Sequence, residues 1–423
     1  MDLMKKLKNP LFKRDYIDEI LKWLPDKEII VLTGPRQSGK TSIMLYIIKY
    51  LMDNEKTDPE NISFYDAEDP NIASMFSSGI ETIKKELGLD DDASPKKYLF
   101  IDEAQYISSA GRILKYLCDH YGHRLKIFIS GSSALEISGA FRESMTGRKK
   151  VFEILPLNFG EFIEFSGGAD LRRDARQGRP SAGPELAALF SQYCAYGGYP
   201  GVALERENEK KKSLLNEIYS SYVRKDAAVF TGAENHDKFN MLVKYIAINE
   251  GQLFNVQSAC RDIGSLSRPT MERYLLLLEG TFITKKVGPF YGNKNKELVK
   301  MGKVYFIDRG LRNAVLNNFN TPDLRPDAGA VLEGAALRML TGAGARPDEI
   351  KFFRKKAGLE IDFIREKETL EAFEIKKNGD SFSEKPFQDF IKKYKPSLFT
   401  VVSMNKKGSN GIFNYVTFPE FGA

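Results

Sequence analysis

The chain has 423 residues, 42% of them apolar and 28% charged, and its 63 basic and 57 acidic side chains leave a net charge of +6. These values exclude a disordered, collagen-like or disulfide-scaffold protein, and the length calls for about three domains. No apolar run approaches the ~20 residues of a spanning helix, Met1 to Arg14 is charged without an apolar signal core, and Cys118, Cys194 and Cys260 form neither a disulfide framework nor a CxxC knuckle, so a cytoplasmic protein without membrane contact is expected.

Unbroken apolar runs at Ile29 to Thr33, Ile62 to Tyr65, Tyr98 to Ile101 and Leu125 to Ile129 read as strands buried on both faces. Helical stretches such as Thr41 to Leu51 and Arg112 to Tyr121 separate them, and this alternation predicts an α/β fold with a parallel, doubly wound sheet over residues 1–165. Directly after the first strand, Gly34 to Thr41 fits GxxxxGK[ST]. In such a loop the backbone N–H groups wrap phosphate at a helix N-terminus, Lys40 neutralises β/γ oxygens and the Thr41 hydroxyl reaches Mg2+. Gly34, Pro35, Arg36, Gln37, Ser38, Gly39, Lys40, Thr41 and Ser42 are the candidate nucleotide contacts.

The third strand ends in Asp102-Glu103, where Asp102 would hold the metal and Glu103 would orient and deprotonate an attacking water. A strand before it and another after it, ending in Ser130-Gly131-Ser132-Ser133, suggest the additional-strand (ASCE) class of phosphate-loop NTPases, with Ser130 or Ser132 as a γ-phosphate sensor. Beyond that strand lie Arg142 and Arg148, of which Arg148 is the better candidate for an arginine donated to a neighbouring subunit's site in a homo-oligomer.

Ser166 to Pro184, rich in Gly, Arg, Ala and Pro, reads as a linker, and residues 166–234 as linker plus helical segment. Over 235–320 three helices are expected, at Lys238 to Asn249, Val256 to Ile263 and, after an N-cap at Ser267, Arg268 to Glu279. A strand-like stretch and a basic loop follow, which spells a winged helix-turn-helix. Arg268 and Arg273 on the outer face of the third helix, with Lys285, Lys286, Lys294 and Lys296 in the basic run, are the candidate DNA contacts; a protein-binding module is the alternative.

In residues 321–423, strand alternation puts Glu374 and Lys376 on one face of Leu370 to Lys376, with Asp362 on a preceding strand. This is a D…ExK arrangement, in which two carboxylates hold Mg2+ and the lysine steadies an attacking hydroxide; Glu333, in a helix before both strands, could add a third acid. A restriction-endonuclease-like α/β domain is expected, cutting DNA or retained as a binding fold.

GPRQSGKT, LFIDEAQ, ISGSSALEISGAFRESMTGR and LPLNFGEF, in that order, resemble a large family of bacterial and archaeal ATPases in the AAA+ and STAND-like branch. The resemblance continues through YGGYP at Tyr196 to Pro200, YVRKD from Tyr222 and KVYFIDRGL from Lys303 to Leu311, nearly the whole chain, and is interrupted by the insertion after Phe165. It implies ATP and Mg2+ as ligands and a nuclease-like C-terminal fold. The resulting expectation is a Mg2+-dependent ATPase that rearranges a winged-helix and nuclease-like module on DNA. The alternative is a nucleotide-controlled signalling or defence switch that binds a protein partner and keeps an inactive nuclease-like domain.

Overall fold

The computed structural model describes residues 3–89, 95–132, 147–179, 183–222, 236–264, 266–291, 301–342, 349–355 and 358–422. Two compact units emerge: Met1–Leu155 with Gly280–Phe282, and Pro156–Glu279 with Ile283–Ala423. The first boundary thus falls before the Phe165 expected from sequence. The reason is local: Leu157, Phe159, Phe162 and Ile163 of the LPLNFGEF stretch are buried in a core with Val331, Leu332 and Phe363 of the second unit.

The first unit holds strands β1 (Ile29–Thr33), β2 (Ile62–Asp66), β3 (Lys97–Asp102), β4 (Leu125–Gly131) and β5 (Lys149–Glu153), all parallel, in the order β2-β3-β4-β1-β5. Strand β4 therefore separates the strand that feeds the phosphate loop from the strand that ends in the acids, the topology expected for the additional-strand class. Every residue of β1 and β4 is buried, as strands covered on both faces must be. Ile29, Val31, Ile101, Ile127 and Ile129 pack with Leu114 and Leu117 of the Ala110–Tyr121 helix, and Phe100 stacks on Phe128 at 4.5 Å between ring centroids. Because all the strands run the same way, Thr33, Asp102 and Gly131 end at one edge of the sheet, where open α/β sheets place their ligands.

The second unit is built on an eight-stranded sheet in the order β12-β13-β11-β10-β9-β8-β6-β7. Its strands are β6 (Thr284–Pro289), β7 (Lys303–Phe306), β8 (Ile350–Arg354), β9 (Glu360–Glu366), β10 (Leu370–Ile375), β11 (Leu398–Ser403), β12 (Gly408–Asn410) and β13 (Phe413–Thr417). Helices His236–Ile248, Val256–Asp262 and Arg268–Gly280 precede the antiparallel β6/β7 pair, in the order read from the sequence. The expected border at residue 320 does not separate two sheets, because the far end of β6, Gly288 and Pro289, pairs in parallel with Lys351 and Phe352 of β8.

Two motifs of the resemblance interlock here. Asp308 accepts the Leu311 N–H at 2.9 Å, capping the Arg309–Leu316 helix, and the Gly198 N–H at 2.7 Å. A Cβ on Gly197 would stand 2.2 Å from Asp308 Oδ1, so the YGGYP turn requires glycine there. Next to it, buried Arg309 makes two bonds to Glu250, at 2.7 and 2.9 Å, and Arg312 bridges Glu250 at 2.5 Å and Asp327 at 2.8 Å. These signature residues build the fold.

Candidate active site

The phosphate loop leaves β1 at Gly34, whose φ of +152° and whose distance of 2.2 Å from a built Cβ to Ile154 O leave room only for glycine. Gln37 and Gly39 also sit at positive φ, 60° and 95°, and this curls the loop onto the N-terminus of the Lys40–Asp53 helix. Buried Lys40 folds back over the loop and donates to Gly34 O at 3.0 Å and Pro35 O at 2.9 Å. Ser38 Oγ is buried with no hydrogen-bond partner among the described residues. A bound phosphate would offer Lys40 anionic oxygens in place of the loop carbonyls, and a partner for the orphaned Ser38 hydroxyl.

Thr41 Oγ1 donates to Asp102 Oδ2 at 2.6 Å, joining the helix start to the end of β3. A hydroxyl and a carboxylate in hard-oxygen contact at this place fit a Mg2+ shell. The Ser130 hydroxyl donates to the other Asp102 oxygen and accepts the Glu103 N–H at 3.1 Å. Glu103 itself lies at φ 50°, a left-handed turn directly after the strand. Its carboxylate accepts from Gln105 Nε2, which also reaches Ser132 Oγ at 3.3 Å. Lys40, Thr41, Asp102, Glu103, Ser130 and Ser132 are thus brought to one sheet edge.

Two contributors escaped the sequence reading. Gln105, inside the DEAQ string, links Glu103 to Ser132. Arg14, buried, donates to Ser38 O at 2.9 Å and Leu155 O at 2.8 Å, so a guanidinium from far upstream holds the loop. No local pattern marks it. Arg148 is not brought to this site: it precedes β5, its carbonyl accepts the Ile29 N–H, and Nε binds Asp119 Oδ1 at 2.5 Å. That is the opposite end of the sheet, about 13 Å of strand from the loop of its own chain. Arg142 and Ser133 lie outside the described residues.

In the second unit, Asp362 and Glu374 are buried, because β9 and β10 are covered on both faces. Asp362 Oδ2 accepts the Ile375 N–H at 2.8 Å, and Glu374 accepts Lys376 Nζ at 2.6 Å. Glu333 accepts the Tyr305 hydroxyl at 2.9 Å and lies 3.9 Å from Lys303 Nζ. Burial first, and the charge of Asp362 second, push Glu333 and Glu374 each up to about 8, and burial raises Asp362. The expected three-acid metal site is nevertheless not formed: among the described residues no three acids, histidines or cysteines converge closely enough to hold a metal ion. Lys376 and the strand amides engage Asp362 Oδ2 and both Glu374 oxygens.

On the Arg268–Gly280 helix, Ser267 Oγ accepts the Thr270 N–H at 3.3 Å, and Arg268 and Arg273 are exposed. Arg268 pairs with Glu272 at 2.8 Å and Lys285 with Glu279 at 3.2 Å; Lys286 is exposed, and Lys294 and Lys296 lie outside the described residues. Between this helix and the β6/β7 pair is a cleft of about 620 Å³ lined by Phe254, Leu275, Leu276 and Met301 as well as by Arg268 and Glu272. Its surface is apolar and of mixed charge, unlike the uniformly cationic face that a phosphate backbone selects.

Residues 26–163 match the AAA domain family, and residues 187–322 match a domain of unknown function. An uncharacterised protein of Haemophilus influenzae is 27% identical over 309 residues, 71% of this chain and 72% of that protein. One from Methanocaldococcus jannaschii is 26% identical over 360 residues, 84% of this chain and 76% of that protein. Among solved structures, a Walker-type ATPase of Pyrococcus abyssi aligns with a TM-score of 0.46 at 13% identity, covering 73% of this chain and 96% of that one. Among the described residues no helix is long and apolar enough to cross a membrane.

Proposed function

We propose that this chain, whose N-terminal part is a P-loop AAA-type ATPase domain, hydrolyses ATP to ADP and phosphate with Mg2+ and uses the cycle to rearrange its second unit. The observation that carries the reading is the 2.6 Å contact of Thr41 with Asp102, with Glu103 next in sequence and the phosphate loop alongside. Lys40 leaves the loop carbonyls to neutralise phosphate oxygens, and the loop amides hold the triphosphate at the helix N-terminus. Thr41 and Asp102 would hold the magnesium, which supplies charge neutralisation at the phosphates. The Glu103 carboxylate takes a proton from water as its oxygen bonds to the γ-phosphorus; the bond to the bridging oxygen breaks and ADP leaves. Gln105 restrains Glu103 until substrate arrives, and Ser132, within reach of Gln105, registers the γ-phosphate.

The test is a pair of variants. Lys40→Ala is expected to lose nucleotide binding, while Glu103→Gln keeps ATP bound and loses turnover by at least about a hundredfold, the usual worth of a positioned base. Undiminished turnover in Glu103→Gln removes Glu103 from this role.

DNA as the target of the rearrangement rests on Arg273, Lys286 and the lysines near them. Pairing of Arg268 and Lys285 with Glu272 and Glu279, together with the apolar cleft, favours the second reading, a nucleotide-controlled switch with a protein partner. ATPase rates with and without single-stranded and duplex DNA separate the two: stimulation supports DNA, and identical rates support the switch.

A further inference from the structure

Gln105 is bonded through one end of its amide and not through the other. It lies in the short turn Ala104–Tyr106 that follows β3, and Ala104, buried with Ile101 and Ile107, anchors that turn to the sheet. Nε2 carries two hydrogens and has two acceptors, the Glu103 carboxylate and Ser132 Oγ at 3.3 Å. Oε1 is buried and has no hydrogen-bond partner among the described residues. Turning the amide over would set this oxygen against the Glu103 carboxylate with no hydrogen between them, so the contacts themselves fix which end is nitrogen. A buried carbonyl without a donor is rare enough in native proteins to require a reason.

The surrounding groups do not supply the donor. The carboxylates of Asp102 and Glu103 accept, the hydroxyls of Thr41 and Ser130 both donate to Asp102, and Lys40 is directed to the loop carbonyls. ATP hydrolysis brings a donor of its own, the attacking water, to the carboxylate that Gln105 touches. That water has two hydrogens and Glu103 removes one. A second acceptor beside Glu103 holds the other hydrogen, which turns a lone pair of the water oxygen toward the γ-phosphorus.

We infer that Gln105 is a catalytic residue: its Oε1 accepts one hydrogen of the attacking water while Glu103 accepts the other, and its Nε2 ties this water site to Ser132. The role rests on the ATPase reading above. Ser132 Oγ, accepting from Gln105, still has its own hydrogen to give to a γ-phosphate oxygen, so one amide joins the group that registers the substrate to the group that activates the nucleophile. In the reaction the water oxygen bonds to the γ-phosphorus and the bond to the bridging oxygen breaks, its electron pair leaving with ADP. One proton passes to Glu103, and the hydrogen held by Gln105 stays on the new phosphate oxygen.

The experiment compares full-length wild type, Glu103→Gln, Gln105→Ala and Gln105→Met, the last filling similar space without hydrogen bonds. Phosphate release gives turnover. Titration gives the affinity for ADP with beryllium fluoride, which imitates bound ATP, and for ADP with aluminium fluoride, which imitates the transition state with water in line. Both Gln105 variants are expected to lose turnover by about a hundredfold. They should bind the beryllium complex as wild type does and the aluminium complex about tenfold more weakly. Turnover equal to or above that of wild type overturns the inference and leaves Gln105 only as a restraint on Glu103. So does an affinity for the two fluoride complexes that is unchanged in both or lowered equally in both. Should Gln105→Ala fail to fold, by circular dichroism, Gln105→Met decides alone by the same outcomes. A wild type without turnover, or an undiminished Glu103→Gln, ends the ATPase reading itself; loss in Glu103→Gln beside full turnover in the Gln105 variants ends only the role of Gln105.

Discussion

Arg14 reaches the nucleotide loop through backbone carbonyls. Its two bonds, to Ser38 O and Leu155 O, tie the loop to the end of the β5 strand segment. Removing the guanidinium leaves two buried acceptors without a donor, a cost of about 1–3 kcal/mol each. Part of that cost falls on the loop's phosphate-binding shape, so Arg14→Ala should weaken ATP roughly tenfold, equivalent to about 1.4 kcal/mol. Arg14→Lys should recover less than half of the loss, since one ammonium cannot reproduce the planar fork that spans both carbonyls. Titration with a fluorescent nucleotide checks this, with circular dichroism to show that the sheet is intact; an unchanged dissociation constant would separate Arg14 from the loop.

At the scale of elements, charge buried inside the second unit governs stability. Glu250 accepts from Arg309 and is ion-paired with Arg312, all three side chains being buried, so Glu250→Ala deprives both guanidinium groups of that carboxylate and should cost about 3–5 kcal/mol, read as a lower denaturant midpoint. The acid cluster adds a pH dependence whose sign is fixed. Glu333 is raised from 4.5 to about 8, by burial first and Asp362 second, so between those values the folded state binds a proton that the unfolded chain has lost. Stability therefore falls as pH rises through this window and levels off above it. Thermal unfolding should occur at lower temperature near about pH 9 than near about pH 6, and Glu333→Gln should shrink the difference. An equal difference in the variant would place the titration elsewhere.

The same elements show what the sequence discloses. GPRQSGKT, the DE pair and the alternation of strands and helices are local patterns, and they point to the β1, β3 and β4 arrangement because each is written within a few consecutive residues. Alternation also placed Asp362, Glu374 and Lys376 together. It did not show that Glu374 is buried, since β10 is covered on both faces and not on one. Lys303 was hidden differently: it closes a basic run that reads as a solvated loop, and only the pairing of β7 with β6 carries it to the acids. Arg14 and Leu155, 141 residues apart, meet through packing that no spacing encodes.

For the whole molecule, the decisive residue is Arg148. It lies at the end of the sheet opposite the phosphate loop of its own chain and pairs with Asp119, so within one chain it cannot stabilise charge at the γ-phosphate. If it serves hydrolysis it must serve a neighbour's site, and that requires a head-to-tail interface in which each copy gives an arginine and receives one. Arg148→Ala alone should then lower turnover by about a thousandfold or more, as removal of such arginines does. Lys40→Ala alone should be equally inactive. Mixed in equal amounts, the two variants recreate a working site wherever an Arg148→Ala chain, with its intact loop, receives the arginine of a Lys40→Ala chain. Random assembly makes this true of about a quarter of interfaces, so about a quarter of wild-type activity should return. Recovery should follow subunit exchange in time and vanish on dilution below the assembly concentration, as measured by phosphate release alongside light scattering. Full assembly with no recovery would confine Arg148 to its contact with Asp119 and leave each chain to hydrolyse ATP with its own residues.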